Sequence, residues 1–144
     1  MSNNIKLECF ASVVKGKKGF SIEKDGKTLH REVTYLSAKD LKEGMFLALK
    51  DGLQMVKSKV THEMVLMIVV QNRHVADWLN EMNDSGCNRF IEVSDIVFDL
   101  IDELDCKYRV VYLQNYNTKK YVLNNDPVKE KTVGLEDAFN FEEN

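Results

Sequence analysis

The side chains able to do chemistry are scattered along this chain. His30, His62 and His74 each lack a second histidine or cysteine three or four residues away, so they do not form the close His and Cys pairs from which structural zinc sites are built. Cys9, Cys87 and Cys106 show no CxxC spacing and read as buried or free thiols in a reducing cytoplasm. No serine sits in a nucleophile elbow, and no P-loop or GxGxxG is present. Gln71, Asn72 and His74 follow an apolar run, at the kind of strand end where open α/β sheets bind ligands; they form a candidate polar recognition cluster. Lys15, Lys17 and Lys18 make a basic turn that, with Arg73, Lys119 and Lys120, could track a phosphate backbone. The plainer reading of both groups is solvated surface. No cofactor and no metal are implied by these residues.

The bulk properties bound the rest. The chain has 144 residues, enough for one domain with a real core. With 44% hydrophobic and 30% charged residues it has the composition of a globular protein, and a net charge of −3 gives no general reason to expect nucleic acid. The N-terminus lacks the apolar core of a signal peptide, and the longest apolar run, 64–70, is too short to span a bilayer. A soluble cytoplasmic protein is expected.

Hydrophobic spacing then supplies the elements. Strands are expected at 5–14, 19–24 and 28–36, with Asp25-Gly26 as a two-residue hairpin turn. Leu41, Met45, Ala48, Leu49, Gly52, Leu53 and Val56 fall on one face of a helix over 38–57. Ser37 is its expected N-cap, and Gly52 marks a close approach. The run 64–70 reads as a strand buried on both faces. A helix follows at 73–82, with Trp78 inward as core rather than as a stacking platform. A third helix is capped by Ser94, and a fifth strand covers 108–113. Residues 1–125 are expected to form the domain. Residues 126–144 form an acidic tail in which Phe139 and Phe141 make either a frayed end or a docking segment.

The order β-β-β-α-β-α-α-β resembles the ribonuclease H-like fold. Residues 10–22, FASVVKGKKGFSI, are similar to that family's first hairpin, ALKDGL to the end of its first helix, and IVVQNRHVADWLN to its fourth strand and following helix. The resemblance implies an α/β domain with a mixed five-stranded sheet, a three-stranded antiparallel meander plus two parallel strands, flanked by helices. It also implies a set of carboxylates that hold two divalent metals for phosphodiester cleavage. Matched residue by residue, those carboxylates fall at Phe10, Leu41, Gln71 and near Tyr121. None is an acid, and hard cations need oxygen ligands. Glu8 and Glu43 lie nearby as a relocated site.

Phe10 with Gln71 and Tyr121 is therefore expected to give a less charged concave surface suited to a partner or to the tail. On this reading the chain is not an enzyme. It is a protein-binding or regulatory module, in keeping with a phage or mobile-element accessory protein. Nucleic-acid binding without cleavage, and a nuclease with a relocated site, are the alternatives.

Overall fold

The computed structural model describes residues 3–81, 87–113, 123–124 and 127–128. Five strands form one sheet: β1 (Asn4–Ser12), β2 (Lys17–Lys24), β3 (Lys27–Tyr35), β4 (Val65–Val70) and β5 (Lys107–Tyr112). Their order across the sheet is β3-β2-β1-β4-β5. The first three are antiparallel neighbours, and β4 and β5 run parallel to β1. This is the expected mixed sheet. The β2–β3 turn holds Asp25 and Gly26 at φ 54° and 78°, the double left-handed geometry that matches the twist of a tight hairpin.

Three helices, α1 (Leu41–Val56), α2 (Arg73–Leu79) and α3 (Ile91–Asp102), accompany the sheet. Alternation along β1 assigns its faces. Ile5, Leu7, Cys9 and Ala11 enter the main core with Met45, Leu49 and Leu53 of α1, whereas Lys6, Glu8, Phe10 and Ser12 point the other way. Each large apolar side chain fully buried here contributes about 1.5–3 kcal/mol. Gly52 meets β1 as its spacing suggested, since a Cβ there would stand 2.8 Å from Leu7 Cδ1.

Several boundaries differ from expectation. The cap of α1 is Asp40, whose carboxylate accepts from the Lys42 amide at 2.7 Å, so Ser37 lies outside the helix. A charged acceptor one turn closer satisfies the free amides better than a distant hydroxyl. Ser94 caps nothing: it lies buried within α3, which follows a 3-10 turn at Cys87–Phe90, and it accepts a hydrogen bond from the Trp78 indole at 2.9 Å. The second helix stops at Leu79. Val128 forms a parallel bridge to Val33, so the outer edge of β3 is met there by a later part of the chain. No helix among the described residues is long and apolar enough to cross a membrane.

Candidate functional site

The sheet face turned away from α1 carries the residues matched to chemistry. Pairing places Phe10 opposite Gly19 and Gly19 opposite Val33. Because Cys9 pairs with Val70, the next step along β4 brings Gln71 to the flank of Phe10. Gly19 has no room for a side chain, because a Cβ there would lie 2.6 Å from the Glu32 carbonyl of β3. Phe10 is fully buried and packs with Val33, Leu123 and Val128. Lys17 ties this cover down by donating from Nζ to the Leu123 carbonyl at 3.3 Å.

Gln71 is also buried, and its amide donates to Glu8 Oε2 at 2.8 Å. Glu8 is 2% exposed. Its burial pushes the carboxyl above the usual carboxylate range, and Lys6 and the Gln71 bond act against that push. Lys6 stands 3.8 Å from Glu8 and 3.3 Å from Glu23.

A pair of divalent ions does not fit this arrangement. Phe10 offers no ligand atom, and the Gln71 amide is engaged with Glu8. Leu41 is the partly exposed first residue of α1. Glu43 lies in the first turn of α1, and among the described residues no hydrogen bond or ion pair joins it to Glu8. No group of three His, Cys, Asp or Glu among the described residues is placed to hold a metal ion. Tyr121, Lys119, Lys120, Phe139 and Phe141 lie outside the described residues.

The basic turn divides into three different fates. Lys15 is exposed, Lys17 holds Leu123, and Lys18 is turned inward. Lys18 Nζ bonds Thr34 Oγ1 at 2.6 Å and pairs with Asp51 of α1. Arg73 and His74 are exposed at the start of α2. Parallel pairing of β1 with β4 puts their C-terminal ends on one edge of the sheet, so Lys15 shares that edge with Arg73 and His74. The hydrogen bond from Leu36 N to Gly16 O at 2.8 Å brings the start of α1 to the same edge. Exposed Lys39 and half-buried Lys42 therefore join it. Residue types alone did not single out these two lysines; their place beside the cap of α1 was the available signal.

The other candidates stay apart. His30 lies on β3 near Glu32 and against Phe20, and His62 is exposed in the loop before β4. The three cysteines are free thiols, and burial raises the Cys9 thiol pKa well above its ordinary value, which makes it inert.

Known structures share this architecture. The chain is similar to ribonuclease H1 from the halophilic archaeon Halobacterium salinarum, with TM-score 0.67 and 11% identity over 81% of this chain and 89% of that one. It is also similar to the N-terminal ribonuclease H domain of a Mycobacterium tuberculosis protein, with TM-score 0.71 and 10% identity over 85% and 91%. A third similar structure is LC11 ribonuclease H1 in complex with an RNA/DNA hybrid, with TM-score 0.58 and 14% identity over 81% and 88%. The fold is ribonuclease H-like.

No family model and no curated protein matches the sequence. The expectation that this chain is not an enzyme requires correction. The similar solved structures named above are ribonucleases H, so the fold is one that nucleases use, and nothing positive in the described residues marks a non-enzyme. That expectation took the loss of acids at matched positions for the loss of activity.

Proposed function

We propose that this ribonuclease H-like domain binds nucleic-acid duplexes along the edge formed by the C-terminal ends of β1 and β4. The carrying observation is the gathering of exposed Lys15, Lys39, Arg73 and His74, with Lys42, on that edge. The carboxylates nearest in sequence are Asp40, which caps α1, Glu43, and Asp77 one turn along α2 from Arg73 and His74. The overall charge of −3 masks this local excess of cations. The fold-level analogy to a structure solved with an RNA/DNA hybrid selects the ligand class. The protein-binding or regulatory reading stands second, because the surface that motivated it was built on Phe10, and Phe10 is buried.

The test is a binding titration of the full chain with a short RNA–DNA hybrid across a salt series. Binding is expected to weaken log-linearly with salt, with a slope of about 0.7–0.9 per phosphate neutralised. Lys15→Ala and Arg73→Ala should each reduce that slope by about 1. Running the titrations with Mg²⁺ and with Mn²⁺ reads strand cleavage on the same samples. Binding that is absent, or insensitive to both variants, overturns the proposal.

A further inference from the structure

A second surface has the opposite character. Between α2 and α3 lies a groove of about 600 Å³ lined by Trp78, Glu81, Asp95, Phe98 and Asp102. Its α3 wall follows from spacing, because residues 95, 98 and 102 recur at intervals of three and four and so share one helical face. The same face continues to Ile91, which is 48% exposed. Trp78 is half-buried, and its indole is oriented by donating to Ser94 Oγ. The groove therefore offers a fixed aromatic face and three carboxylates, and no lysine or arginine lines it among the described residues.

We propose that this groove docks an arginine-rich polypeptide segment of a partner protein. Charge complementarity selects the partner's sign, and the two aromatic rings select arginine over lysine. A planar guanidinium can lie on an indole face while its edge donates two parallel bonds to a carboxylate, whereas an ammonium is a compact, strongly hydrated point charge. The carboxylates repel a phosphate backbone, so this surface is distinct from the cationic edge and its occupant is a polypeptide. Ile91 extends the wall for the aliphatic stems of the same segment.

Trp78 is the only tryptophan in the chain, so its emission reports on the groove directly. The experiment titrates the full chain with octa-arginine and follows that emission at low salt, with circular dichroism verifying the fold of every variant. Saturable change is expected. Asp95→Asn and Asp102→Asn should each weaken binding about threefold, as expected for losing one solvent-accessible ion pair. Glu63→Gln, an exposed carboxylate change in the loop before β4, should leave binding unchanged, and octalysine should bind more weakly than octa-arginine. Equal weakening by all three variants would mean that the peptide follows net charge alone, and would overturn the proposal. So would an unchanged affinity in Asp95→Asn and Asp102→Asn, or equal binding of the two peptides. Failure here leaves the salt-dependent duplex titration untouched, because neither Asp95 nor Asp102 lies on the cationic edge.

Discussion

Replacing Asp51 by Asn tests whether Lys18 belongs to the interior or to the binding surface. The Lys18 side chain is 4% exposed and that of Asp51 is 17% exposed. The lysine is therefore the deeper partner, and the two variants should differ. Asp51→Asn removes the carboxylate that pairs with this ammonium between the sheet and α1, although the Thr34 hydroxyl remains at 2.6 Å. Breaking a buried pair in this way costs about 3–5 kcal/mol. Lys18→Met leaves instead a carboxylate that still reaches water, while the methionine stem keeps the lysine's packing, so its cost should fall at or below the lower end of that range.

The double variant should cost less than the sum of the two single changes by roughly 1–3 kcal/mol, the signature of residues in direct contact. Urea denaturation of the four proteins at neutral pH measures all these quantities. A cost for Asp51→Asn under about 1 kcal/mol, the value of a solvent-exposed pair, would refute the reasoning and return Lys18 to the surface. The same set carries a functional check: Lys18→Met should leave hybrid affinity unchanged where Lys15→Ala lowers it.

Two further changes probe the face around Phe10. Phe10→Asp restores the acid that the family's pattern places there, and it should destabilise the fold instead of creating a metal site. It removes a buried ring whose loss alone costs about 3–5 kcal/mol, and adds a charge among Val33, Leu123 and Val128; a thermal melt with and without Mg²⁺ checks this, and a folded variant stabilised by Mg²⁺ would contradict it. Glu8→Gln should flatten the acid-side pH dependence of stability. The folded state holds the Glu8 proton more tightly than the unfolded chain does, so stability from this group is fully present below about pH 4.5 and is lost as pH rises through the raised folded value. Glutamine keeps an acceptor for Gln71 without the charge, so the variant should gain on the parent protein as pH rises towards neutrality. A stability difference that is constant across pH 4–7 would contradict the assignment.

Topology was legible because each strand carries an unambiguous pattern. Alternation along β1 and the continuous apolar run of β4 place both at the centre of the sheet, and Asp25-Gly26 specifies a tight hairpin. Helix ends were less legible, since Ser37, Asp40 and Ser94 are all competent caps by residue type, and only backbone geometry selects among them. The fates of Lys15, Lys17 and Lys18 were illegible for a similar reason. Three lysines in four positions look alike in sequence, but the strand period sends Lys17 and Lys18 to opposite faces, and Asp51 lies 33 residues away. Lys39 and Lys42 joined the cationic edge through a contact that no local pattern announces.

The two sides of the sheet assign different work to the same residue types. On the face away from α1, Phe10 packs with Val33, Leu123 and Val128, and Gln71 bonds Glu8, so groups matched to metal binding are engaged within the protein. Leu123 and Val128 cover Phe10 on this face. Two groups of charged side chains open to other molecules lie at the margins: cations at the C-terminal edge of β1 and β4, and carboxylates with Trp78 and Phe98 between α2 and α3. Opposite charges at two separate margins of one small domain allow a polyanion and a polycation to be held without competing for the same side chains. That separation follows from topology, because β4 ends at the cationic edge and the chain then turns into α2, which starts with Arg73 and His74 and carries Trp78 towards the acidic groove.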